Sequence, residues 1–115
     1  MFEDDIYPLL RQLADGRVYA YVAPCSVYHL PLEMRRFLIF SLQQETTYDT
    51  LQQVKNNRVV VSVDCYAHTV PSARALREQV EVALSSLSPF KHVQYNEFDI
   101  EYELFCMTLE CHVGL

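Results

Sequence analysis

Three observations in this 115-residue chain predict an α+β fold, a mostly antiparallel β-sheet packed by two helices. The first is the run RVVVSVDCYA from Arg58 to Ala67. Val59, Val61, Val63, Cys65 and Ala67 fall on one side, and Val60, Ser62, Asp64 and Tyr66 on the other. A period of two over that length is a strand with two chemically different faces. The second is the change of period after Val70-Pro71. Ala73, Leu76, Val80, Ala83, Leu84 and Leu87 make an apolar stripe at helical spacing, with Arg74, Arg77, Glu78 and Glu81 mostly off it. The third is a second clean alternation from Leu104 to Val113. Phe105, Met107, Leu109, Cys111 and Val113 face one way, and Leu104, Cys106, Thr108, Glu110 and His112 the other.

The remaining elements follow in order. Residues 3–14 read as the first helix, with Ile6, Leu9, Leu10 and Leu13 as its buried stripe. Asp4 or Asp5 accepts from the free N–H groups at its start. Pro8 is tolerated only in a first turn, which sets the regular helix to begin near Ile6 or Tyr7. Gly16 supplies the left-handed residue that ends it. Arg17 to Val22 is a short strand, and residues 23–34, with Pro24 and Pro31, form a loop. Arg35 to Thr46 is the second strand, apolar on both faces at Phe37–Phe40 and polar afterwards. Tyr48 to Asn57 is mostly polar and reads as a loop, long enough to reach a partner. After Ser88-Pro89, His92 to Glu97 is a strand and Asp99 to Tyr102 a polar break. The order is α-β-β-β-α-β-β, with helices packed on one sheet. The length suits one domain, 1–115, with one core.

Half of the residues are apolar and a fifth charged, ordinary for a globular chain. The net charge of −6 argues against a general nucleic-acid binder, which needs basic groups to neutralise phosphates. An acidic protein can still sit beside DNA without gripping it, since like charges repel the phosphate backbone. The acidic opening MFEDD is unlike a secretory leader, and no apolar run approaches the roughly 18 residues of a membrane helix. The chain is therefore expected in the cytoplasm, with Cys25, Cys65, Cys106 and Cys111 reduced.

Cys106, Cys111 and His112 have a C-x4-C-H spacing unlike common zinc patterns, and the two cysteines alternate to opposite faces of their strand. Cys65 and His68, three residues apart on one strand, fall on opposite sides. Glu97, Asp99, Glu101 and Glu103 alternate with Phe98, Ile100 and Tyr102, which reads as an acidic, solvated hairpin facing a subunit or a lumen. With two glycines in the chain, neither a P-loop nor a dinucleotide fingerprint is available. Eight tyrosines and no tryptophan fit core or interface use equally. No cofactor, metal or catalytic set is expected, and function is expected to lie in surfaces.

Four segments resemble the tail completion proteins of long-tailed bacteriophages, the family of siphophage tail terminators and tail-to-head joining proteins. They are the opening helix Ile6–Leu13 running into DGRVYAYVAP (15–24), the strand FLIFSL (37–42), the strand RVVVSVDCYAHT (58–69) and the helix SARALREQVEVAL (72–84). The likeness covers about residues 5–90. Here Pro31 is separated from the second strand by Leu32–Arg36, where the family usually has a Pro abutting it. The resemblance implies a structural virion protein at the head-proximal end of the tail, assembled in the host cytoplasm. It would form a ring, typically a hexamer, that caps the tail tube protein and meets the head–tail connector. DNA would pass through the lumen without specific binding, and no enzyme activity or membrane is involved. Its expected contact residues are Tyr48, Asp49, Gln52, Gln53, Lys55 and Asn56 in the polar segment. Glu97, Asp99 and Glu101 in the acidic hairpin complete the set. The alternative from the same structural class is a head–tail adaptor or neck protein. From a different class, the alternative is a ferredoxin-like small-molecule-sensing domain. That class would normally place a Gly-bearing turn at its ligand.

Overall fold

The computed structural model describes residues 1–114, and at residues 54–56 the backbone alone. Its elements are α1 (Glu3–Leu10), β1 (Val18–Ala20), β2 (Phe37–Tyr48), β3 (Val54–Ala67), α2 (Val70–Ala83), β4 (Lys91–Asp99) and β5 (Leu104–Gly114). The α+β class and the order α-β-β-β-α-β-β are those the sequence predicts. The five strands form one sheet in the order β1-β2-β3-β5-β4. Only β1 and β2 are parallel; the other three neighbouring pairs are antiparallel. Among the described residues no helix is long and apolar enough to cross a membrane.

The alternations become the two faces of the sheet. Val59, Val61, Val63 and Cys65 of β3 join Leu109 and Cys111 of β5 and Leu38 and Phe40 of β2 under both helices. From the helices come Ile6 and Leu10, then Leu76, Val80 and Leu84, all in the same cluster. Each large side chain fully buried there is worth about 1.5–3 kcal/mol relative to exposure. Thr69 caps α2, its hydroxyl accepting from the Ser72 N–H at 3.3 Å, and Pro71 sits in the first turn, where its missing N–H costs nothing.

The opposite face is covered only at one end. The connection from β1 to β2 is the expected loop, and it carries two short 3₁₀ turns, Cys25–His29 and Leu32–Met34. It crosses that face and packs Ala23 and Val27 on Phe37, Ile39, Tyr66, Leu104 and Cys106. Phe37 stacks on Tyr66 with centroids 4.7 Å apart. This accounts for a strand apolar on both faces at Phe37–Phe40: the helices cover one side and the loop covers the other. We call this side of the sheet, opposite the helices, the open face.

Three expectations need correction. The helix α1 is shorter than 3–14 and begins before Pro8, which lies inside it. Its start is held by the Asp5 carboxylate, which accepts from the Phe2 N–H at 2.8 Å. The chain then turns through three left-handed residues, Ala14 (φ 51), Asp15 (φ 54) and Gly16 (φ 82), and only the last is a glycine that adopts this without strain. Second, Arg77 is not off the helix stripe: it is buried, with 6% exposure. Its guanidinium donates to the Tyr95 carbonyl at 3.2 Å and to Asn96 Oδ1, which satisfies a charge that burial would otherwise penalise. Third, Tyr48–Asn57 is not a loop. β2 and β3 stay paired up to Thr47↔Asn56 and Tyr48↔Val54, with one register shift between Thr47 and Tyr48. The turn is confined to residues 49–53.

Candidate functional site

The hairpin of β2 and β3 outruns its neighbours. β1 stops opposite Phe40, and β5 stops with Gly114 opposite Arg58. Beyond those points the two strands form a two-stranded ribbon with no further strand beside it among the described residues. Polar side chains on both faces hold it. Arg58 pairs with Glu45 through Nε and Nη2, and Asn57 Oδ1 accepts from Gln44 Nε2 at 3.2 Å and Thr46 Oγ1 at 3.3 Å. Asp49 makes the tip. Its Oδ1 accepts from the N–H groups of Leu51 and Gln53, both at 2.9 Å, an Asx-type turn. Gln52 takes the left-handed conformation, φ 63. Two apolar side chains stand out at the tip, Tyr48 and Leu51, the latter 75% exposed.

The open face carries most of the sheet's carboxylates. Register places Asp64, Glu97, Asp99 and Glu110 on it. Asp64 sits near the middle, with the Thr108 hydroxyl donating to its Oδ1 at 2.8 Å. Burial raises the Asp64 carboxyl's pKa; the Thr108 hydrogen bond opposes this, and the fields of Glu97, Asp99 and Glu110 add to the rise. Toward the ribbon lies His112, buried, with neither ring nitrogen hydrogen-bonded. Its Nε2 stands 3.6 Å from Glu110 Oε1.

The sheet leaves two strand edges unpaired among the described residues. One is the whole of β4, bonded only to β5. It holds no proline and pairs without a bulge, so it lacks two of the usual protections of an edge. The other is the upper half of β2. β1 covers residues 38–40, and Tyr21 extends the cover to Leu42, its Oη accepting from the Leu42 N–H at 3.4 Å. Tyr21 is fixed there by donating to Glu3 Oε1 at 2.6 Å. That bond lowers the Glu3 pKa and raises that of Tyr21. From Gln43 to Tyr48 the outer edge of β2 has no strand beside it.

The structure separates the expected contact residues into two groups. Tyr48, Asp49, Gln52 and Gln53 lie at the ribbon tip, and the backbone of Lys55 and Asn56 lies on its β3 arm. The side chains of Lys55 and Asn56 lie outside the described residues. Glu97 and Asp99 lie on β4, and Glu101 in the turn between β4 and β5, where Ile100 is 82% exposed. The groups sit at opposite ends of a molecule 55 Å long. Sequence reading missed the Glu45–Arg58 pair, the Asp64–Thr108 bond and the buried His112. Only the first had a legible signal, an acid and a base on two strands that run toward one another.

Cys65 is fully buried, and its pKa is pushed well up by burial. Burial likewise takes the thiols of Cys106 and Cys111 up to about 11. All three stay protonated at neutral pH, which makes them poor nucleophiles. Cys106 and Cys111 lie on opposite faces of β5, in different clusters. Among the described residues no group of three or more His, Cys, Asp or Glu side chains is placed to hold a metal ion. Comparison with protein-family models and with curated proteins gives no match.

Proposed function

We propose that this chain is a structural virion protein of a long-tailed bacteriophage, a tail terminator or tail completion protein. In this reading it assembles as a ring on the head-proximal end of the tail tube and meets the head–tail connector, and DNA traverses the lumen. Hexameric stoichiometry comes from the sequence resemblance. The observation that carries the reading is the pair of free strand edges on opposite sides of one sheet. Two different edges on one chain support head-to-tail contacts, and head-to-tail contacts generate rings when the rotation closes.

Two further features support it. The open face is acidic, and a lumen wall of that charge repels the phosphate backbone, so that DNA slides and does not bind. The ribbon carries exposed Tyr48 and Leu51 away from the sheet, which suits a contact with a neighbouring ring. No cofactor and no reaction enter this account.

The test is electron microscopy of lysates from phage in which this gene is disrupted. Tubes of abnormal length, or tails that never join heads, are expected. Normal tails on normal heads would contradict the proposal.

A further inference from the structure

We infer that the neighbour in the ring is held by strand pairing between β4 of one copy and the free part of β2, Gln43–Tyr48, of the next. This rests on the ring reading above and adds the surface, the direction and the register of the contact.

The direction follows from the sheet. Along β2-β3-β5-β4 every neighbour is antiparallel. A second copy's β2 laid against β4, with its helices on the same side, is antiparallel as well. The alternation therefore continues unbroken from copy to copy, and both faces of the sheet continue with it.

The register follows from which part of β2 is free. Opposing Glu97–His92 to Gln43–Tyr48 uses the whole free segment and keeps each residue on its own face. The resulting pairs are Glu97 with Gln43, Asn96 with Gln44, Tyr95 with Glu45, Gln94 with Thr46, Val93 with Thr47 and His92 with Tyr48. No like charges are opposed, which matters because like charges directly across a strand pair destabilise it. Sliding the strands by two residues in one direction sets Glu97 against Glu45. Sliding them by two in the other sets Glu97 against Ser41, on the stretch where Tyr21 already occupies the edge.

The same register meets an independent geometric requirement. Within one copy, Glu97 lies in the cross-strand row of Cys106, Tyr66 and Phe37. Opposing it to Gln43 of the next copy offsets the two by six residues along the strands, 43 minus 37. At about 3.3 Å per residue this is roughly 20 Å. Four strands per copy, β2, β3, β5 and β4, span roughly 19 Å at about 4.8 Å each. Offset and span in nearly equal measure tilt the strands by about 45°, at the upper end of what closed barrels adopt. The free segment thus sets a stagger that falls within the range closed sheets adopt.

Cysteine cross-linking tests this in full-length protein with Cys25→Ser, which removes the exposed native thiol. Two double variants are needed, Thr47→Cys with Val93→Cys and Thr46→Cys with Gln94→Cys. Adjacent antiparallel pairs alternate between close and wide spacing, so one of the two falls at the closer distance. Mild oxidation should give a ladder of covalent oligomers that ends at the ring. The single variants should stay uncross-linked alone and form dimers only when Thr47→Cys and Val93→Cys are mixed. Dimers from Val93→Cys alone would mean that β4 pairs with itself, and would overturn the inference. A ring seen by native mass with no cross-link from either pair would overturn this interface while leaving the ring reading standing. A monomer at every concentration would overturn both.

Discussion

At the scale of single residues, the four cysteines differ sharply in environment. Cys25 is exposed, while Cys65, Cys106 and Cys111 are buried, and none is bonded to another. A thiol reagent should therefore label one site in the native protein and four after denaturation, read by intact mass. Reducing agent should leave the melting temperature unchanged. Finding only two thiols in denatured protein would reveal a disulfide and contradict the structure.

Asp64 gives a second prediction at this scale. Its carboxyl is held above its ordinary pKa by burial first, and then by Glu97, Asp99 and Glu110. A native carboxyl with a raised pKa binds its proton more tightly than the unfolded chain does. Its contribution to stability is therefore lost as pH rises from the ordinary carboxylate range, about 4, upward. Asp64→Asn removes that penalty and keeps an acceptor for the Thr108 hydroxyl. The melting temperature of the variant relative to the parent should rise between about pH 4 and pH 7. A difference that shrinks over the same range would contradict the assignment.

At the scale of elements, α2 and β3 are where sequence and structure agree most closely. The stripe Leu76, Val80, Leu84 meets the face Val59, Val61, Val63, Cys65, and Ala73 meets Ala67 and Met107, because both surfaces are patterned for burial and the helix lies on the sheet. Leu76→Ala should cost about 2–5 kcal/mol in a urea melt, and a loss under about 0.5 kcal/mol would refute the packing. Arg77 was hidden from this reading by its charge, although Ala73, Arg77, Val80 and Leu84 follow helical spacing without a gap. Arg77→Ala strips the Tyr95 carbonyl and the Asn96 side chain of their donor and should cost about 1–3 kcal/mol. A neutral result would mean that water replaces it.

The ribbon was illegible for a related reason. Periodicity reports a face that is buried against one that is not, and a ribbon wet on both sides has no such contrast. The polar segment Tyr48 to Asn57 therefore reads as a loop. Its Thr and Tyr residues and the single Asp before the tip were the only local signs of paired strands. The parallel pairing of β1 with β2 was equally hidden. It depends on a loop crossing the open face, and the trace of that crossing was the doubly apolar Phe37–Phe40, a pattern that fits several topologies.

At the scale of the whole molecule, the candidate surfaces fall at separate places: the ribbon tip at one end, the β4–β5 turn at the other, and the free edges along the sides. The sequence named residues from both ends without showing that they lie apart, because that separation is set by strand register. If the tip meets a neighbouring ring, residues 47–56 replaced by a two-residue turn should leave melting of the monomer nearly unchanged, since the core lies below the ribbon. The same change should still permit rings, whose edge contacts on β2 are shortened by two residues, and should block the joining of tails to heads. Normal virions from such a phage would make the ribbon a mere connector and move the contact to Glu97, Asp99 and Glu101.

The central claim is that the chain closes on itself through two different edges. Native mass spectrometry of the purified full-length protein, across a range of concentrations, tests it most directly. The account predicts one closed oligomer larger than a dimer, six copies by the resemblance, with no continuous ladder above it. A stable dimer, or a monomer at every concentration, would contradict it.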